Sequence, residues 1–190
     1  ETALLGSHIE LQEDPPELSA QQQQALQQWQ EQPDIRQWLL WGVTGSGKTE
    51  VYLRCCQQVL EQGQSVLLLT PEIGLVPQLL QRCRQRFGDR VISFHSGLSD
   101  GERIKAWRRC RQGGANVVVG TRSAIFLPMP QLGLIVLDEE HDSSYKQESP
   151  MPCYHARDVA RIRMELEGAR LLFGSATPSL ENWLLSQQDN

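Results

Sequence analysis

The octapeptide Gly42-Val43-Thr44-Gly45-Ser46-Gly47-Lys48-Thr49 constrains this chain more than any other stretch. It fits the pattern G-x-x-x-x-G-K-[ST]. Glycines let such a loop curl until several backbone N–H groups point into one concavity suited to phosphate oxygens. The geometry requires an apolar strand before the loop and a helix after it, whose positive N-terminal end adds to the anion site. Both are legible here. Gln37–Trp41 is a short apolar run, Thr49–Leu60 reads as a helix, and Gly63 suits that helix's end. In this pattern Lys48 reaches the β- and γ-phosphates and the Thr49 hydroxyl ligates Mg²⁺. Gly42, Thr44, Gly45, Ser46, Gly47, Lys48 and Thr49 are therefore the expected nucleotide-binding residues.

A phosphate loop of this kind needs carboxylates at the end of a second strand. Leu134–Leu137 is fully apolar and runs into Asp138-Glu139-Glu140-His141. Asp138 is placed to share the Mg²⁺ with Thr49. Glu139 is placed to orient or deprotonate an attacking water. His141 is expected to link the γ-phosphate site to a neighbouring loop, through Ser175 or Thr177. Lys48, Asp138, Glu139 and His141 form the expected catalytic set.

The rest of the chain alternates strand and helix. Strands are expected at Ser65–Thr70, Val91–Phe94, Ala115–Val119, Leu134–Leu137 and Ala169–Phe173. Helices are expected over Val76–Phe87, from Ser99 to about Gln112, and over Ala156–Glu167. Ser99 and Glu102 form a capping box. Thr177, with Pro178 after it, is read as the N-cap of a last helix. Apolar β-branched runs between helices imply a mainly parallel sheet with helices on both faces, an α/β fold. Ligands of such sheets bind beyond the carboxyl ends of the strands.

Charge is unevenly spread. The net charge is −5, yet residues 1–34 hold seven acidic side chains and no Lys or Arg, while Arg82–Arg111 holds nine basic and three acidic groups. The basic zone is a candidate phosphate-binding face. Within its helix, Ile104 and Trp107 are expected to face the core. Residues 1–17, with Pro15-Pro16 and no clear period, read as an acidic linker or arm, and residues 18–190 as the folded domain. The apolar runs are too short to span a bilayer. Five cysteines with no C-x-x-C pair read as reduced thiols in a cytoplasmic protein. The chain opens on Glu1 rather than Met and is read as a piece of a longer protein.

With both sites placed, the chain resembles helicases of superfamily 2. Gly42–Thr49 is similar to motif I, Thr70–Glu72 to motif Ia, Gly120–Ser123 to motif Ib, Asp138–His141 to a DEEH form of motif II, and Gly174–Pro178 to motif III. The longer strings GVTGSGKTEVYL, PEIGL, HSGL, DEEHDSSYKQ and YHARD resemble the bacterial primosomal replication-restart helicases. The resemblance implies a RecA-like P-loop NTPase lobe, the ATP-binding domain (lobe 1) of a 3′-to-5′ DNA helicase. Such an enzyme uses ATP and Mg²⁺, acts at stalled or branched forks and reloads the replication machinery. It further implies single-stranded-DNA-binding protein and primosome proteins as partners, a bacterial cytoplasm, and a second lobe, zinc-binding segment and DNA-binding domains outside this fragment. The isolated lobe is then expected to be nearly inactive. By position, Gln22 would read adenine, with Gln21 or Gln23 also open. Arg122, Tyr145 and Lys146 would contact DNA, Tyr145 by stacking on a base. Two other classes stay open: a P-loop DNA translocase that does not separate strands, and a non-catalytic partner-docking module.

Overall fold

The computed structural model describes residues 15–188, so most of the expected arm at 1–17 lies outside the described residues. Six strands, β1 (Gln37–Trp41), β2 (Ser65–Leu69), β3 (Val91–Phe94), β4 (Val117–Gly120), β5 (Leu132–Leu137) and β8 (Arg170–Ser175), form one sheet in the order β1-β8-β5-β2-β4-β3. Every pairing in it is parallel. Two short strands, β6 (Lys146–Gln147) and β7 (Tyr154–His155), make a separate antiparallel hairpin. Nothing in the sequence pattern pointed to that hairpin.

The expected two-sided burial is present. All residues of β2, β4 and β5 are buried, as near-continuous apolar strands must be when helices cover both faces. Successive side chains alternate between the two cores. Val66, Leu68, Leu134 and Val136 face α1 (Ala20–Glu31), α2 (Lys48–Glu61) and α3 (Val76–Phe87). Leu67, Leu69, Ile135 and Leu137 face α4 (Asp100–Arg111) and α5 (Ala156–Glu167).

Helix ends follow local chemistry. α1 starts at a capping box in which Ser19 accepts from the Gln22 N–H and the Gln22 side chain accepts from Ser19. α4 uses the expected Ser99–Glu102 box. Gly63, at φ 79°, follows α2 in the left-handed region that glycine tolerates best. Two expectations fail. The last helix, α6 (Leu180–Gln188), begins after Thr177. Ser179 is its cap, accepting from the Asn182 N–H at 3.4 Å, because Thr177 is engaged with His141 instead. Ile104 and Trp107 are 52% and 40% exposed rather than in the core. Their helix lies against the edge strand β3 and turns Ala106 and Cys110 inwards, so the stripe beside them stays in solvent.

Candidate nucleotide-binding and hydrolysis site

The strand order decides which motifs meet. β1, β8 and β5 are neighbours, so the loops following all three open at one place on the carboxyl edge. The Gly42 N–H donates to the Ser175 carbonyl at 3.1 Å, and the Glu140 N–H donates to the Gly174 carbonyl at 3.0 Å. A cleft of about 720 Å³ lies there, lined by Thr44, Gly45, Gly47, Lys48 and Thr49 on one side and by Asp138, Glu139, His141 and Thr177 on the other.

The phosphate loop has the expected shape. Gly45 and Gly47 sit at φ 78° and 80°, in the region a glycine adopts most readily. Gly47 is the N-cap of α2 and offers no side-chain hydrogen bond to the first turn. α1 and α4 satisfy their leading N–H groups with capping boxes. α2 leaves those donors facing the cleft, the arrangement an anion requires. Lys48 Nζ donates to the Gly42 carbonyl at 2.8 Å and lies 3.2 Å from Glu139 Oε1. The lysine and the glutamate therefore hold each other across the space a phosphate would enter.

Asp138 has a different partner. Its Oδ1 accepts from the Tyr52 hydroxyl at 2.9 Å. Burial pushes its carboxyl above the usual range, the Tyr52 hydrogen bond pulls it back, and neighbouring Glu139 raises it again. Two carboxylates with one lysine between them leave a local excess of negative charge, which a divalent cation beside Thr49 would relieve. The uncapped helix end, the lysine and this carboxylate excess fit a nucleoside triphosphate with Mg²⁺. Tyr52 was not anticipated. Its signal was its place four residues after Lys48, one helical turn along the same face.

Glu139 has φ 47°, a sparsely populated conformation for a residue with a side chain. It is held by surrounding contacts: the Ala176 N–H lies 3.3 Å from Glu139 Oε2, and the Asp142 N–H donates to the Glu139 carbonyl at 2.9 Å. His141 reaches both residues expected of it. Nδ1 is 2.7 Å from Ser175 Oγ, and Nε2 is 3.2 Å from Thr177 Oγ1.

Of the three glutamines open as an adenine contact, Gln22 is the one whose side chain meets the phosphate loop. Its Nε2 donates to the Ser46 and Gly47 carbonyls at 3.0 and 3.3 Å. Gln23 instead donates to the Leu18 carbonyl. The helix carrying Gln22 is fastened by Arg170, whose guanidinium lies over the Trp29 ring at 3.2 Å and donates to the Trp29 carbonyl at 2.9 Å. Burial pulls the Arg170 guanidinium down to about 10.

The expected DNA contacts divide. Lys146 is exposed and pairs with Glu148 at 2.7 Å. Arg122 faces inwards, donating to the carbonyls of Ser144 and Lys146 at 3.2 and 2.6 Å and to Gln147 Oε1 at 3.2 Å. It braces the segment after Asp142 instead of presenting its donors to solvent. Tyr145 corrects the expectation of base stacking. It is 0% exposed, and its hydroxyl donates to the Leu69 and Asp138 carbonyls at 3.0 and 2.7 Å. A ring with no accessible face cannot stack on a base. Among the described residues no helix is long and apolar enough to cross a membrane.

The chain is 59% identical to the replication restart protein PriA of Synechocystis over 88% of its own length and 20% of the relative's. It is 51% identical to PriA of Bacillus subtilis over 79% of its own length and 18% of that protein's. The chain thus spans about a fifth of these relatives. Among solved structures it is similar to RecG bound to a three-way DNA junction, with 25% identity and a TM-score of 0.68, over 90% of this chain and 22% of that one. The family model for DEAD/DEAH box helicases matches residues 19–184. This chain therefore belongs to the DEAD/DEAH box helicase family, and its fold is the RecA-like lobe of such an enzyme.

Proposed function

We propose that this chain is the ATP-binding lobe of a 3′-to-5′ DNA helicase that acts at stalled or branched replication forks and restarts replication by primosome assembly. The observation that carries the reading is the convergence of Lys48, Asp138 and Glu139 on one cleft, with His141 joining that cleft to the loop after β8. Similarity to PriA over most of the chain supplies the biological setting.

In this reading the backbone of Gly42–Gly47 and the start of α2 cradle the phosphates, Lys48 leaves Glu139 for the β/γ-phosphates, and Gln22 faces the adenine. Thr49 and Asp138 would hold Mg²⁺, which neutralises charge developing on the phosphates. Glu139, released from Lys48, accepts a proton from the attacking water or orients it. His141 carries the state of that site to Ser175 and Thr177. In this reading the exposed Lys146 exchanges its Glu148 partner for a DNA phosphate. Single-stranded-DNA-binding protein and primosome proteins are the partners this reading implies, and a bacterial cytoplasm its setting. In P-loop NTPases an arginine reaching the γ-phosphate contributes roughly 10³–10⁵ in rate. The chain spans about a fifth of its relatives, and the isolated lobe is expected to turn over slowly.

The test is the ATPase rate of the intact parent protein with no DNA, with single strands and with forked DNA. Stimulation that is greatest on the fork and lost in Glu139→Gln supports the reading. Equal rates in all three conditions refute it. A translocase that does not separate strands would hydrolyse ATP yet fail an unwinding assay, and a docking module would keep its function in Lys48→Ala.

A further inference from the structure

The third residues of α1, α2 and α4 are Gln22, Glu50 and Glu102. In α1 and α4 that side chain folds back onto its own helix end. Gln22 Oε1 accepts from the Ser19 N–H at 2.8 Å, and Glu102 Oε2 accepts from the Ser99 N–H at 2.8 Å. Glu50, at the same position of α2, is turned elsewhere. Its Oε1 and Oε2 accept from Arg86 Nη2 at 3.0 and 3.1 Å, and Oε1 accepts from Arg54 Nε at 3.0 Å. The Glu50 and Arg86 side chains are only 15% and 10% exposed, so salt and water screen this pair weakly.

The difference bears on the phosphate cradle. The first turn of α2 keeps its N–H groups facing the cleft, and Gly47 offers them no side-chain cap. A carboxylate in the first turn is drawn to such groups by hydrogen bonding and by the helix dipole. A Glu50 set free would place its charge beside the donors a phosphate needs, competing for them and repelling the phosphate. Arg86 prevents this from outside the helix. It stands in the last turn of α3 and draws the carboxylate sideways, into the seam between α2 and α3. Arg54, one turn further along α2, holds it from the same side and also donates to the Pro16 carbonyl at 3.3 Å.

We infer that Arg86 is a positioning residue for nucleotide binding: by holding the Glu50 carboxylate against α3 it keeps the phosphate-binding end of α2 open and clear of a competing negative charge. The inference rests on the proposed function above, in which the start of α2 cradles the phosphates of ATP. Neither Glu50 nor Arg86 lines the cleft, so Arg86 acts through Glu50.

The experiment uses the intact parent protein carrying Arg86→Ala, Arg86→Gln, Glu50→Gln or the double change Glu50→Gln with Arg86→Ala. KM for ATP and kcat are measured for each, beside the affinity for a fluorescent ATP analogue and the melting temperature. Arg86→Ala should raise KM by about 3- to 30-fold, the range a single charge at a helix terminus supports. The kcat value should hold, since only binding is lost. Glu50→Gln alone should leave KM no higher than in the unsubstituted protein. Added to Arg86→Ala, it should bring KM back, because no charge is left to compete. Arg86→Gln keeps a hydrogen-bonding side chain without the charge, so it should reproduce the rise, and it decides the matter should Arg86→Ala fail to fold. An unchanged KM in both Arg86 variants overturns the inference. So does a rise that the double variant retains, which is the mark of a packing defect. An unsubstituted protein that binds no ATP analogue, or binds it equally well as Lys48→Ala, overturns the functional reading and this inference with it. ATP binding that is lost in Lys48→Ala but indifferent to the Arg86 changes overturns the inference alone.

Discussion

Replacing Tyr145 by phenylalanine removes one hydroxyl and leaves the ring in place. The ring is completely buried in the core beneath α5, so the substitution opens no cavity of consequence. The hydroxyl donates to two carbonyls, and they are not equally dependent on it. Leu69 O also accepts from the Asp138 N–H at 2.9 Å and stays satisfied, whereas Asp138 O loses the donor at 2.7 Å. One buried hydrogen bond lost and one carbonyl stranded costs about 2 kcal/mol. For a domain of this size that corresponds to a fall in melting temperature of about 4–8 °C. Thermal and urea unfolding of the isolated lobe measure it directly. The DNA affinity of the intact protein should stay unchanged, since the ring is inaccessible. The competing view, a tyrosine that stacks on a base, predicts the reverse for Tyr145→Ala: a DNA defect with little loss of stability. The buried ring predicts a loss of about 3–5 kcal/mol for that change. A Tyr145→Phe protein that melts indistinguishably from the unsubstituted chain would refute the reasoning.

Other outcomes follow from the same structure. A Cβ on Gly174 would overlap the Tyr52 hydroxyl, so Gly174→Ala should cost about 1–3 kcal/mol by overpacking and weaken Mg²⁺-dependent nucleotide binding in a fluorescence titration. The Ser99 hydroxyl and N–H hold the Glu102 carboxyl below its usual range. A carboxyl lowered in the folded state stabilises it above the ordinary carboxylate range and loses that contribution as pH falls through the lowered value. Melting curves of Glu102→Gln and the unsubstituted chain should accordingly differ at neutral pH and converge in acid. Of five cysteines, four are buried and Cys153 is exposed. Burial pushes Cys55 and Cys83 up to about 12 and Cys110 to about 11. A thiol-reagent titration should count one fast thiol in the native protein and five in denaturant.

The elements of the site that were legible in advance are those set by local chemistry. Gly42–Thr49 declares its conformation through glycines and its neighbours through an apolar run, and Asp138–His141 follows a strand too apolar to lie anywhere but inside a sheet. The period of the pattern foretold the parallel α/β layout and nearly every strand. What lay beyond the sequence depends on which strands become neighbours and on what covers each helix. The placing of β8 between β1 and β5 brings Ser175 and Thr177 to His141, and no single segment encodes that order. The same arrangement sends Tyr145 inwards, because the carbonyls of Leu69 and Asp138 lie together only once β2 and β5 have paired. It also turns Glu140 from one more acidic residue in a run into a buried junction, because its four donors come from Arg157, Ser179 and Asn182. Ile104 and Trp107 have core-like spacing but stand at the sheet's margin, where no element among the described residues covers them. Local propensity and motif chemistry thus decided what each segment is. Long-range packing decided which of its polar groups face the ligand and which hold the site together.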